Sequence, residues 1–164
     1  MKELILKNYR DTIKDDDIFV FLGDLTYIGD DNPMQVQKQI DQIKLLPGKK
    51  IFIKGNNDYM DLDFYINELG FDISKEIIKM NNVYLSHIPM KIKNNEINIH
   101  GHIHGARNYW NCESKNHVDA YSKVYGYRPV ELRELLYGNY SFIKKKLLTN
   151  NLLESINRDL YNMF

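Results

Sequence analysis

The sequence predicts an α/β protein in which a two-sheet β-sandwich is flanked by helices, and three observations carry that expectation. A short apolar run, a polar loop and a helical pattern follow one another twice. Residues 18–22 lead into Gly23-Asp24, and residues 51–53 lead into Gly55-Asn56-Asn57-Asp58. Continuous apolar runs of this length mark strands covered on both faces, and their alternation with helices marks βαβ units. Asn81-Asn82 then supplies two residues tolerant of positive φ, as a tight hairpin needs, so the pattern shifts toward antiparallel pairing. Finally, Ile97-Asn98-Ile99-His100 alternates like a half-buried strand and runs into Gly101-His102-Ile103-His104-Gly105.

Taken in order, residues 3–13 space Leu4, Ile5, Tyr9 and Ile13 near the helical period, and Lys14-Asp15-Asp16-Asp17 ends that helix in a turn. Asn32 followed by Pro33 reads as an N-cap and first helical position. Met34, Val36, Ile40, Ile43 and Leu45 then form an apolar stripe that stops at Leu46-Pro47-Gly48. A further helix is expected over about residues 60–69, ending at Gly70, and residues 71–80 read as a strand. Val83-Tyr84-Leu85-Ser86-His87 is its returning partner, closing on a histidine just before Ile88-Pro89. Past Gly105 a strand is expected near Val118, a helix over residues 129–136, and a helix over residues 140–164. The last carries Phe142, Ile143, Leu147, Leu148, Leu152, Leu153, Ile156, Leu160 and Tyr161 on or near one stripe, and Lys144-Lys145-Lys146 reads as its solvated face.

At 164 residues and 43% hydrophobic, the chain is one domain's worth of material, with residues 139–164 a C-terminal helical extension. Lysine plus arginine equals aspartate plus glutamate at 22 each, so there is no global basic field and charge does not indicate nucleic acid. The lone Cys112 excludes an intramolecular disulfide and suits a reducing compartment. The N-terminal apolar run is too short for a signal peptide, and no stretch reaches membrane-spanning length. The expectation is a cytoplasmic protein without a membrane partner.

Three of the five histidines lie at alternate positions in residues 100–104, and glycines follow two of them. Imidazole is the commonest metal ligand, and glycine lets the backbone turn so that nearby rings meet. A single such histidine would read as a core residue bonded to a carbonyl, or as part of a surface loop. Here Asp24, Asn56, His87, His102 and His104 each follow an apolar run, which allows all five to converge on one rim. Carboxylate, amide oxygen and imidazole suit divalent manganese, iron or zinc, and the absence of cysteine ligands argues against a structural zinc knot.

Gly23-Asp24, Gly55-Asn56-Asn57-Asp58, His87 and Gly101-His102-Ile103-His104 resemble, in order and approximate spacing, the signature of the calcineurin-like metallophosphoesterases of small bacterial and phage type. The likeness covers roughly residues 15–136, since Tyr127-Arg128-Pro129-Val130-Glu131-Leu132 is similar to their closing segment. The resemblance implies an α/β/β/α arrangement and hydrolysis of a phosphodiester or phosphomonoester by metal-bound hydroxide. It further implies that Asp24 bridges two ions, that Asn56, His87 and His102 complete one, and that His104 binds the other, the ions being Mn, Fe, Zn or Ni.

Two departures from that pattern stand out. The family's opening Asp-x-His has no counterpart, because residues 1–17 contain no histidine. That implies an N-terminally truncated version of the fold, with one sheet position open and the second metal position incomplete. His117 and Asp119 are the nearby pair that could substitute, although a structural strand edge is the simpler reading. The other departure is Asn57, where the family has a histidine that helps the leaving group. An amide can donate a hydrogen bond but cannot deliver a proton, and general-acid help is typically worth ~10²–10⁴-fold. Asn57 and Asp58 are the candidates in the catalytic loop, Asp58 as the residue that orients it. The alternative expectation is a non-catalytic metal-binding or protein-interaction module of the same fold. Expected partners are a phosphoester substrate and a second copy of the chain, docked through the C-terminal helix.

Overall fold

Residues 18–22 and 51–53 do form neighbouring strands, β1 (Ile18–Phe21) and β2 (Lys49–Ile53), paired in parallel with Phe21 opposite Phe52. The computed structural model describes residues 2–25, 33–104, 116–138 and 151–164. Helix α1 (Lys2–Thr12) precedes β1, and α2 (Pro33–Lys44) and α3 (Leu62–Asn67) flank β2, with Asp61 capping α3 by accepting the Phe64 N–H at 2.9 Å. Asn32, the expected cap of α2, lies outside the described residues, as do Cys112, Lys144-Lys145-Lys146 and the first part of the expected C-terminal helix. β3 (Ile73–Lys75) completes a three-stranded parallel sheet in the order β1-β2-β3. Among the described residues β1 carries no strand on its other side.

The expected single strand over residues 71–80 is instead two strands in different sheets. β3 ends at Lys75, and β4 (Ile77–Met80) pairs antiparallel with β5 (Val83–Ser86), with Asn81 at φ 49° in the tight turn between them. β6 (Ile97–His100) and β7 (His117–Asp119) then add in parallel, giving the order β4-β5-β6-β7. The antiparallel shift expected here is therefore confined to one hairpin. A short 3₁₀ turn (Ser122–Tyr125) leads to α4 (Leu132–Gly138), which begins three residues after Pro129, and α5 (Leu152–Tyr161) closes the described chain.

Side-chain alternation sorts the first sheet's two faces. Ile18, Val20, Leu22, Ile51 and Ile53 face the second sheet and meet Ile78, Met80, Val83, Leu85, Ile97, Ile99 and Val118 in one core. On the opposite face Phe19, Phe21 and Phe52 meet the helices. Tyr9 of α1 and Ile13, just past its end, pack there, as do Ile43 of α2 and Tyr65 of α3, whose ring stacks on Phe52 at 4.1 Å. Met34, Leu45 and Leu4, which the periodicity assigned to buried stripes, are exposed. Leu135 and Leu136 of α4, with Leu152, Leu153, Ile156 and Leu160 of α5, join the core between the sheets. The described part of the C-terminal stripe is thus covered within the chain, while Tyr161 stays exposed. Among the described residues no helix is long and apolar enough to cross a membrane.

β6 departs from the half-buried expectation because all four of its residues are buried. Asn98 and His100 alternate with the core residues Ile97 and Ile99; Asn98 meets the segment after β5, and the His100 ring lies 5.8 Å from that of His117. Asn98 Oδ1 accepts the Met90 N–H at 2.8 Å, its Nδ2 donates to Ser86 Oγ at 2.9 Å, and His117 Nε2 donates to the Met90 carbonyl at 2.8 Å.

Candidate metal centre

Parallel pairing is what assembles the site. β1, β2, β5 and β6 point their carboxyl ends in pairs toward one rim, and the polar residues that follow them meet there. Asp24 and Asn56 each come three residues after their strand, and His87 and His102 come one and two residues after theirs. Two glycines permit the close approach of the two sheets. A Cβ on Gly23, at φ 82°, would sit 2.6 Å from His87 Nδ1 and 2.7 Å from Gly55 Cα. One on Gly55 would collide with both the backbone nitrogen and the carboxylate of Asp24.

His87 is almost wholly buried, and its Nδ1 lies 2.7 Å from the Leu22 carbonyl. A carbonyl only accepts, so Nδ1 carries a proton and donates it there, which turns Nε2 toward the cluster. Nε2 lies 3.0 Å from Asn56 Oδ1, 3.2 Å from His102 Nδ1 and 3.3 Å from Asp24 Oδ2. Asp24, His87 and His102 present ligand atoms all within 4.8 Å of one another. A cation among atoms crowded this closely would satisfy them together. The set of one carboxylate, one amide oxygen and two imidazoles fits a borderline divalent ion.

Electrostatics favour the neutral, ligand form of His102. Partial burial, followed by the neighbouring His87, lowers the His102 pKa, while Asp24 pulls the other way. His100 is held down to about 4, first by burial, with its bond to the Gly101 carbonyl opposing and His117, His102 and His87 adding to the fall. Asp24 and His102 both occupy left-handed backbone, at φ 55° and 63°. For non-glycine residues that conformation costs energy, and such strain concentrates at functional sites.

Asp58 anchors the two loops of the first sheet. Its carboxylate accepts N–H bonds from Asp24 at 2.7 Å, Gly55 at 2.7 Å and Leu25 at 3.1 Å, and it is 3% exposed. Asn57 clasps Asp24, donating its backbone N–H to Oδ1 at 3.0 Å and its side-chain N–H to Oδ2 at 2.8 Å.

The structure therefore brings Asp24, Asn56, His87 and His102 together with Asn57 and Asp58, and His104 is not among the side chains that meet His87. His104, at φ 51°, is exposed and stacks on Tyr121 with ring centroids 4.8 Å apart. His117 and Asp119 lie on β7, where His117 bonds Met90 and Asp119 accepts the Tyr121 N–H at 3.0 Å. Two contributors went unread in the sequence. The Leu22 carbonyl sets the His87 tautomer, and buried Asn98 holds the segment after His87. A backbone carbonyl leaves no mark in side-chain patterns, and an alternating asparagine looks the same whether it meets solvent or a buried loop.

Comparison with known proteins agrees with this geometry. The model of the family described as calcineurin-like phosphoesterase matches residues 2–155. Uncharacterized protein MJ1445 of Methanocaldococcus jannaschii is 27% identical over 145 residues, covering 80% of this chain and 71% of that protein. The crystal structure of AQ665 from Aquifex aeolicus, a protein of unknown function, superposes with a TM-score of 0.61 at 26% identity, covering 81% of this chain and 82% of the other.

Proposed function

This chain belongs to the calcineurin-like phosphoesterase family, and from that membership we propose that it hydrolyses a phosphoester with a divalent cation held by Asp24, Asn56, His87 and His102. The observation that carries the reading is the convergence of four ligand-type side chains, two from each sheet, around Nε2 of His87. The chemistry such a cation supplies is charge neutralisation on the phosphoryl oxygens and a lowered pKa for water. Leu22 holds the His87 ring in the required tautomer. Asp58 acts as a positioning residue, since its oxygens are taken by backbone N–H groups and it is shut away from substrate.

Asn57 offers no transferable proton, so esters with good leaving groups are the expected substrates and alkyl esters the poor ones. Purified protein with manganese should therefore hydrolyse bis-p-nitrophenyl phosphate, and chelation, Asp24→Ala or His87→Ala should each abolish the activity. Hydrolysis that survives those changes would overturn the assignment. One observation favours a second reading, a non-catalytic metal-binding module: an amide, which can deliver no proton, occupies position 57. Manganese uptake without turnover of aryl esters is the outcome that selects it.

A further inference from the structure

We infer that the centre takes a single divalent ion per chain, because Asn57 occupies the coordinating capacity of Asp24 that a second ion would need. This deepens the phosphoesterase reading and rests on it. A carboxylate that joins two ions must have lone pairs free for both, and each carboxylate oxygen offers two lone-pair directions. Oδ1 of Asp24 accepts the Asn57 backbone N–H at 3.0 Å and abuts Gly55, where even a Cβ would collide with it. Oδ2 accepts the Asn57 side-chain N–H at 2.8 Å and gives its other direction to the cluster, 3.3 Å from His87 Nε2. One direction is left for one ion.

Among the described residues, the side chains nearest to completing a second position have other contacts. His104 stacks flat on Tyr121, with 16° between the rings. His117 bonds the Met90 carbonyl, and Asp119 accepts the Tyr121 N–H. Asn57 thus acts as a positioning residue that supplies partial positive charge to both oxygens of Asp24.

The test is manganese stoichiometry. Full-length protein stripped of metal is dialysed against Mn²⁺, bound manganese is counted by mass spectrometry against protein concentration, and the electron paramagnetic resonance spectrum is recorded. The expected result is saturation at one ion per chain with the six-line spectrum of an isolated ion. His104→Ala should leave stoichiometry and affinity within twofold, whereas His87→Ala, checked for native circular dichroism, should weaken uptake at least tenfold. Two ions per chain with a spin-coupled spectrum would overturn the inference and leave the phosphoesterase reading standing. So would loss of an ion in His104→Ala. A chain that takes up no manganese overturns both.

Discussion

Gly55 is the residue on which the centre turns, because the Asp24 carboxylate occupies the space a β-carbon would need. Gly55→Ala must push back the Asp24 carboxylate and backbone nitrogen together, and with them the bonds that Asp58 makes to both loops. The expected outcome is native circular dichroism with manganese affinity reduced at least tenfold, read by the same dialysis measurement. Gly126→Ala is the contrast. Nothing lies within 4 Å of its added carbon, but φ is 66°, so it should cost about 1 kcal/mol in urea unfolding and leave metal uptake alone. At this scale the sequence announced Asp24, Asn56, His87 and His102 through their side-chain types and their places just after apolar runs. The direction of His104 was not legible. Spacing of two suggests a shared face only while a strand continues, and β6 ends at His100, after which left-handed φ values at His102 and His104 aim the rings.

Among the elements, the direction of β6 relative to β5 determines whether a site exists at all. Parallel pairing sets Ser86 opposite His100, so His87 and His102 leave their strands at the same end. Antiparallel pairing, which the hairpin signal suggested, would put them about four residues apart along the strands, roughly 13 Å at the usual rise. The connection of residues 87–96 contains no helix to announce a crossover, which explains why its direction was hidden. The break within residues 71–80 was better advertised. Lys75, Glu76 and Ile77 are exposed in succession, interrupting the alternation with two charged neighbours where the chain changes sheets. α5 shows what its stripe is for. Ile156 is 2% exposed within the core shared by both sheets, so Ile156→Ala should cost about 2–5 kcal/mol in urea unfolding. If α5 were a docking arm for a second copy, that substitution would dissociate an oligomer in light scattering and leave monomer stability nearly unchanged.

Over the whole molecule, βα alternation followed by a hairpin was enough to expect two sheets, because each strand's apolar run had to be covered on both faces. What could not be foreseen was that Asn98 and His100 would be polar yet buried, Asn98 bonded to the chain's own loop at Met90 and His100 set against the ring of His117. That arrangement makes global stability depend on pH. His100 titrates near 4 in the folded chain, because burial disfavours its charged form, and near 6.5 when unfolded. The unfolded chain therefore binds the proton first on acidification. The stabilisation is complete above about pH 6.5, falls as the unfolded ring protonates, and is lost once pH drops through the folded value. By pH 5 the loss should be on the order of 2 kcal/mol, with His102, also shifted down, adding in the same direction. The balanced composition, 22 acids against 22 bases, helps isolate the effect, since unperturbed carboxylates titrate mainly below that pH. Urea unfolding of metal-free protein at pH 7, 6 and 5 measures the slope. His100→Asn, which keeps a polar group in the buried row without a titrating proton, should flatten it. A slope unchanged by that substitution would mean that acid acts through other groups and that His100 is not held neutral by the fold.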